Sequence, residues 1–140
     1  MLLSYRFRLY PNTEQRQAMN RILEVHRQLY NAALQERREA WQRSKISLHY
    51  SDQANQLKEL RTFDDDAAWL NYSSIQQTLR RLDKAFQAFF RRIKAGEKPG
   101  YPRFKGKGWF KSVCYVYGDG VRIKDGRLYI QNVGQVRIFQ

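Results

Sequence analysis

The sequence predicts an α+β protein in which a small antiparallel sheet or barrel is split by an inserted helical bundle. Apolar residues alternate with polar ones over residues 2–10, recur at helical spacing over residues 12–95, and alternate again after residue 112. A lone N-terminal strand would leave its backbone hydrogen-bonding groups unsatisfied. The simplest arrangement therefore pairs that strand with the C-terminal strands and packs the helices beside them.

The first element is predicted to be a single strand over residues 2–10, ended by Pro11. Because strand side chains alternate between two faces, one face would be apolar. The other face would carry Arg6, Arg8 and Tyr10.

The second element is predicted to be a long amphipathic helix. Asn12 or Thr13 caps it, and Gln15 is placed to return the capping bond if Asn12 is the cap. Its apolar stripe extends through Trp41. The stripe fits one long helix or two helices joined by a kink near residues 23–25.

Further helices follow a short connector. Ser51 or Asp52 is expected to cap a shorter helix, and Ser73 or Ser74 to begin the clearest helix of the sequence. Gly96 supplies the stop of that helix. Its apolar stripe comprises Ile75, Leu79, Leu82, Phe86, Phe89, Phe90 and Ile93.

Short strands are predicted after the helices, over residues 113–117, 121–124, 127–131 and 135–139. The pair Asp125-Gly126 stands between two of them. This dipeptide is favoured in tight type I′ hairpins, so these two strands are expected to be antiparallel neighbours.

The charge balance is strongly basic. The chain carries 26 Lys and Arg against 13 Asp and Glu, which gives a net charge of +13 and a pI near 10.2. This balance predicts an acidic partner, nucleic acid first and an anionic membrane surface second. No apolar run approaches the length of a membrane span. We expect no membrane association and a soluble protein of the prokaryotic cytoplasm, associated with the nucleoid.

The basic charge is concentrated around residues 96–112, hereafter the basic segment. Between residues 91 and 111, eight Lys or Arg stand against the single acid Glu97. Glycine and proline make this segment loop-like, and aromatic residues are interleaved with its cations. Cations, aromatic rings and available amides suit a nucleic-acid backbone. Trp109 and Phe110 fit two readings equally, stacking on bases or burial in the core.

No active site is predicted. The cluster Asp64–Asp66 fits a solvated loop and helix start better than a metal site, because adjacent side chains point in different directions. His26 and His49 have no nucleophile at a suggestive spacing, and Cys114 is expected to be a small core residue. We therefore expect neither a metal ion nor a cofactor.

Six motifs occur in order along the chain and carry a family resemblance. They lie at residues 8–15 (RLYPNTEQ), 25–31 (VHRQLYN), 85–91 (AFQAFFR), 100–105 (GYPRFK), 119–123 (DGVRI) and 126–131 (GRLYIQ). Together they resemble the N-terminal region of the TnpB (OrfB) family of insertion-sequence-encoded RNA-guided DNA nucleases. The resemblance covers essentially the whole chain.

The resemblance implies a split β-barrel, the wedge domain, formed by residues 1–11 and 96–140, with residues 12–95 as a helical recognition lobe. It also implies two partners, a guide RNA and double-stranded target DNA beside a short adjacent motif. Tyr50 and Gln76 match positions that touch this motif in the family. Tyr72 stands where the family can carry a lysine, a departure at the same contact.

The predicted binding residues combine these positions with the cations of the first strand, the clearest helix and the basic segment. They are Arg6, Arg8, Tyr50, Tyr72, Gln76, Arg80, Arg81, Lys84, Arg91, Arg92, Lys98, Tyr101, Arg103, Lys105, Lys107 and Lys111.

The family's RuvC-like nuclease domain and its zinc-binding insert lie C-terminal to the region that this chain resembles. We therefore expect a nucleic-acid-binding module without nuclease activity, either a fragment of a longer protein or a naturally short derivative. Two other functions stay open, a stand-alone nuclease-deficient DNA-binding repressor and a small metal-dependent nuclease that uses residues 64–66. The oligomeric state is left open.

Overall fold

A computed structural model describes residues 2–138 and has the predicted mixed α+β composition. In chain order its elements are β1 (Leu9–Tyr10), α1 (Thr13–Ser44), α2 (Tyr50–Ala54), α3 (Leu57–Phe63), α4 (Asp65–Trp69), α5 (Tyr72–Lys94), β2 (Val116–Tyr117), β3 (Gly120–Lys124), β4 (Arg127–Ile130) and β5 (Gly134–Ile138). None of the helices in this part of the chain combines the length and apolar character needed to cross a membrane.

The long first helix is continuous, so the structure selects one helix over two. Asn12 is its cap. The Asn12 side chain accepts a hydrogen bond from the Gln15 N–H at 2.8 Å, and the Asn12 N–H donates to the Gln15 side chain at 3.0 Å. This reciprocal pair is the predicted capping box. The helix ends at Ser44, and Lys45 caps it with a left-handed φ of 54°.

Two predicted helix starts are corrected. Asp52 lies inside α2, where its carboxylate accepts a hydrogen bond from the His49 N–H at 2.8 Å, so the helix begins earlier than predicted. Asn71, and neither Ser73 nor Ser74, caps α5, because the Asn71 side chain accepts from the Ser74 N–H at 2.8 Å. A free backbone N–H in a first turn is satisfied in each case. The other end of α5 is as predicted, with Gly96 at φ +72°.

The strands form one open sheet in the order β1-β5-β4-β3-β2. All neighbours are antiparallel except β2 and β3, which are parallel. Asp125 and Gly126 have φ values of 53° and 72°, as the predicted type I′ hairpin requires. They set Lys124 directly opposite Arg127.

The sheet is smaller than predicted and is not closed. The first strand covers only Leu9 and Tyr10, which pair with Ile138 and Arg137 of β5, and residues 2–8 lie outside the strands. The strand predicted over residues 113–117 is limited to β2. Short β1 and β2 are the two edges of the sheet and do not pair, so residues 2–138 do not form a barrel. Residue 139 of the predicted last strand also lies outside the described part.

Two clusters of buried side chains connect α1 and α5 with the neighbouring segments. The first is Ile22, Val25, Leu57, Leu70, Ile75 and Leu79, and the second is Tyr30, Leu34, Leu82, Phe86 and Phe110. Burial of this apolar surface is the main stabilising term for the helical part. The second cluster includes Phe110 from the basic segment. The segment therefore contributes to the core and does not act only as a linker.

Four residues that were predicted to be part of the apolar core are exposed. Trp41, Phe90 and Ile93 continue the predicted stripes but are exposed, because the two helices extend beyond their common core at this end. Cys114 is also exposed and lies outside the strands, so it is not a core residue.

The sheet joins the helices at the cap of α5. The Asn71 amide donates to the Asp119 carboxylate and to the Gln131 side chain, both at 3.0 Å. Hydrogen bonds from Ser73 and Asn71 lower the pKa of Asp119. Gly120 has a φ of +93°, and a Cβ there would stand 2.7 Å from the Asn71 amide nitrogen. This junction therefore requires glycine.

Candidate nucleic-acid interface

The middle of the basic segment is fixed to α1 through its backbone. The Asn31 side chain accepts from the Lys105 N–H at 2.8 Å and donates to the Lys105 carbonyl at 2.9 Å. Arg27 donates to the same carbonyl at 3.0 Å and pairs with Glu24 at 2.6 Å. The hydrogen bonds from Arg27 hold the pKa of Glu24 at about 2. Both backbone groups of Lys105 are satisfied, so this loop has a defined path.

Two predicted phosphate-binding arginines of α5 hold the ends of the same segment. Arg92 donates to the Pro99 carbonyl at 3.2 Å. Arg81 donates to the Ser112 carbonyl at 3.0 Å and to its hydroxyl at 3.2 Å. A guanidinium has five N–H donors, and these bonds use only part of that number. Both side chains therefore order the loop, and either could also face a phosphate.

The adjacent aromatic residues have opposite environments. Phe110 is 5% exposed, and its ring lies parallel to that of His26 with centroids 6.3 Å apart. Arg81 covers it at 4.7 Å. Trp109 is 72% exposed, with the Lys111 ammonium 5.3 Å from its ring. Phe110 is an anchor, whereas Trp109 is accessible to a base.

His26 stacks against Phe110 and contacts two hydroxyl groups of α5, including that of Ser74, which its sequence spacing did not suggest. It is fully buried, and its two ring nitrogens lie 2.7 Å from the Thr78 hydroxyl and 3.2 Å from the Ser74 hydroxyl. Burial lowers the pKa of His26 to about 4, and the charge of Arg81 acts in the same direction. The imidazole is therefore neutral at physiological pH and ties α1 to α5.

Exposed cations surround the ordered segment. Lys105 is half-buried with its ammonium 5.8 Å from the Tyr30 ring, and Tyr101 packs edge-on against Phe86 and Phe89. The exposed members of the predicted set are Arg6, Arg8, Arg80, Lys84, Arg91, Lys98, Tyr101, Arg103, Lys107 and Lys111. The structure thus brings the α5 cations and the basic segment together, while Arg6 and Arg8 belong to the N-terminal end.

A second basic surface lies on the sheet and was missed by the sequence patterns. Cross-strand pairing sets Lys124 opposite Arg127 and Arg127 opposite Arg137. Tyr10 follows Arg137 in the same row and lies 5.7 Å below its guanidinium. A cleft of about 340 Å³ opens beside this row. We call the surface the sheet face; its residues are Tyr10, Arg122, Lys124, Arg127, Tyr129, Gln135 and Arg137.

Within residues 2–138, no ion pair involves a cation of the sheet face. Like charges directly opposite on neighbouring strands are destabilising. The three ion pairs found within residues 2–138 involve Arg21, Arg27 and Arg37, none of which lies on the sheet. An anionic partner would relieve this repulsion. The signal was present in the sequence, because the hairpin at Asp125 fixes the register from which the row follows.

The aspartate cluster is used for structure. Asp64 caps α4, and its carboxylate accepts from the N–H groups of Asp66 and Ala67 at 3.0 and 3.1 Å. Asp66 pairs with Arg21 at 3.1 Å. Among residues 2–138, no three His, Cys, Asp or Glu side chains are grouped so that they could hold a metal ion.

Comparisons with known proteins identify the family to which the sequence is related. Residues 1–45 match a family described as a helix-turn-helix domain of the OrfB IS605 type. InsQ of Escherichia coli (strain K12), named for RNA-guided DNA endonuclease activity, is 27% identical over 97% of this chain and 33% of its own length. A Streptomyces pristinaespiralis protein with the same type of name is 31% identical over 74% of this chain and 25% of its own. The predicted resemblance to the TnpB (OrfB) family is confirmed. The chain spans about a third and a quarter of these relatives.

The family match covers β1 and α1. Here α1 is followed by a connection at residues 45–49 and then by α2, so two helices are joined by a short link at the end of the match. The aromatic ring of Tyr50, the first residue of α2, lies 4.2 Å below the guanidinium of Arg80. The connection therefore brings α2 against α5.

Two of the residues that resemble family contacts to the adjacent motif, Tyr72 and Gln76, lie on one face of α5 together with Arg80. Tyr72, Gln76 and Arg80 are spaced by four residues, which places them on the same helix face. Arg61 stacks on Tyr72 at 5.1 Å, and Arg80 stacks on Tyr50. Two of the three predicted contact residues, Tyr50 and Tyr72, thus lie against arginines. Such a surface offers cations for phosphates beside side chains for base edges.

Proposed function

We propose that this chain is the N-terminal nucleic-acid-binding module of a TnpB-like RNA-guided endonuclease of a transposable element. In this proposal it binds guide RNA and the double-stranded target DNA beside a short adjacent motif. Residues 1–11 and 96–140 would form the wedge domain and complete a barrel within the whole protein, and residues 12–95 the recognition lobe. The chain would not itself cut DNA.

One observation carries the proposal, namely that the chain builds two cation-rich surfaces on different elements. The basic segment holds its backbone with buried or half-buried groups and leaves Lys98, Arg103 and Lys107 exposed. The sheet face sets Arg127 between two further cations. Such arrangements are costly for an isolated fold and favourable against phosphates.

The work would be divided between phosphate and base contacts. Lysines and arginines would supply most of the affinity through release of counterions, without reading sequence. Tyr50, Tyr72 and Gln76 would meet base edges of the adjacent motif. Pairing between guide and target would read the remaining sequence, as in other RNA-guided systems.

The proposal is tested by measuring the binding of the purified chain to a fluorescent single-stranded RNA and to a duplex DNA at several salt concentrations. Affinity should fall steeply with salt for both. The variant Lys107→Gln/Lys111→Gln should reduce the slope on RNA by about 1.4, because each lost phosphate contact removes about 0.7. The matched control Lys58→Gln, on exposed α3, should leave the slope unchanged.

Absence of binding at low salt, or binding that ignores salt, would contradict the proposal. The absorbance ratio of the protein before and after RNase treatment would show whether RNA co-purifies. Tight binding to duplex DNA without any RNA preference would favour the repressor. Cleavage in the presence of magnesium or manganese that is lost on replacing Asp64 and Asp66 would favour the small nuclease.

A further inference from the structure

The ends of α1 and α5, together with Tyr101 of the basic segment, enclose an aromatic pocket. Its volume is about 360 Å³, and its walls are mostly apolar. Trp41, Phe90 and Tyr101 are 53%, 50% and 41% exposed. Exposed apolar surface gathered in one concave place marks a binding site more often than chance. The lining residues central to the argument are Arg37, Trp41, Ile46, Phe89, Phe90 and Tyr101.

The floor of the pocket is neutral. Arg37 is 5% exposed and covers the Phe86 ring at 4.9 Å. It is paired with Asp83 at 2.9 Å and donates to Gln53 at 2.8 Å. The carboxylate of Asp83 is therefore compensated by Arg37 and would not repel an anionic ligand.

The rim of the pocket is positive. The Lys45 ammonium lies 5.4 Å from the Trp41 ring, and the Arg38 guanidinium lies 5.9 Å from the Tyr101 ring. Arg38 also lies 5.5 Å from Phe104 of the basic segment. Flat apolar walls inside a cationic rim complement a planar base carried on a phosphate chain.

The pocket is continuous with the basic segment. Tyr101 is both a wall of the pocket and a member of that segment, between Lys98 and Arg103. A strand whose phosphates contact these two cations would carry its bases beside Tyr101. This continuity favours nucleic acid over an apolar peptide or a second copy of the chain.

We propose that this pocket receives one unstacked base of a single-stranded nucleic acid whose phosphates lie on the basic segment. The proposal rests on the proposed function and adds a stacking site to it. The base would be held by its faces, between Trp41 and Phe90, with little selection among bases, because most of the lining is apolar. Stacking on aromatic side chains is the usual way that single strands are held without sequence preference.

The test measures binding of labelled uridine RNA and thymidine DNA of about eight nucleotides. Each is compared with an abasic strand of the same length and charge. Wild-type protein should bind the strands with bases more tightly than the abasic ones. Trp41→Ala and Phe90→Ala should each weaken binding of the former by about 5- to 30-fold, and should not change binding of the latter. Trp41→Phe, which keeps a stacking ring, should retain most of the affinity. Phe63→Ala, at a 78% exposed ring, is the matched control and should have no effect.

The outcomes separate this proposal from the proposed function. If no strand binds, the proposed function fails. If the wild type binds and Trp41→Ala behaves as Phe63→Ala on every strand, only the pocket proposal fails. Loss of self-association on sedimentation of Trp41→Ala, with unchanged binding of the uridine strand, would assign the pocket to a second copy and overturn the proposal. A preference of the wild type for RNA or for DNA that disappears in Trp41→Ala would identify which strand enters the pocket.

Discussion

The two basic surfaces differ in what their cations do within the folded chain. Around the basic segment, Arg81 and Arg92 donate hydrogen bonds to loop carbonyls. Some of the cations of this surface therefore also stabilise its backbone. On the sheet face, Arg127 and Arg137 stand opposite each other with no acid between them. A count of cations cannot distinguish these cases. Removing a charge should therefore destabilise the first surface and relieve the second.

The largest expected effect concerns the junction that holds the two surfaces in one molecule. Gly120→Ala should lower the free energy of unfolding by about 2–4 kcal/mol, because its φ is positive and its Cβ would collide with Asn71. Gly118→Ala is the matched control, since its φ is +90° and nothing lies within 4 Å of the added Cβ. Equal losses by urea unfolding for the two variants would show that the Asn71 contact is unimportant.

The second effect is a pH dependence of the free energy of unfolding that arises from His26, between α1 and α5. The pKa of His26 is about 4 in the folded chain, below its ordinary 6.5, so stability is fully present above 6.5 and is lost as pH falls through this window. About 2 kcal/mol should be lost by pH 5. Lowered carboxylate pKa values, such as that of Glu24, act only at lower pH.

Urea unfolding between pH 7 and pH 5 measures this loss. His26→Gln should flatten the dependence whatever its effect at pH 7, whereas His49→Gln, at an exposed position, should preserve it. An unchanged slope in His26→Gln would remove His26 as the cause.

The third effect tests the building role of charge on α5. Arg81→Gln should destabilise the chain by about 1–2 kcal/mol, because it removes two hydrogen bonds to Ser112 and the cation above Phe110. Lys84→Gln, at an exposed position of the same helix, should change stability by less than about 0.5 kcal/mol. Equal stability of the two variants in thermal unfolding would mean that Arg81 does not order the segment.

Sequence patterns predicted the start of α1 and the end of α5 because the signals there are local. The capping pair of Asn12 and Gln15 and the stop at Gly96 depend on residues within one turn of each other. These helix ends can therefore be predicted without knowledge of contacts between residues that are distant in sequence. The burial of Phe110 could not be predicted, because it depends on His26 and Tyr30, which are remote in sequence.

The sheet was harder for the opposite reason. The length of a strand depends on its partner, and the partner of β1 is β5, which is remote in sequence. The sheet face was derivable in principle, since Asp125 and Gly126 fix one register and the row through Arg137 follows from the next. The exposure of Trp41 could not be derived, because the apolar stripe of one helix does not reveal where the helix packed against it ends.

The smallest effect has the most informative sign. Arg127→Gln removes the central cation of the row between Lys124 and Arg137, so it should stabilise the isolated chain by about 0.2–1 kcal/mol. The same change should weaken binding to labelled RNA and lower the salt slope by about 0.7. Lys58→Gln, on α3, serves as control for the general effect of lowering the net charge. Opposite signs in unfolding and binding would mean that the sheet face is maintained for its partner at the expense of the fold. A loss of stability in Arg127→Gln would instead place this cation with Arg81, as a residue that builds its surface.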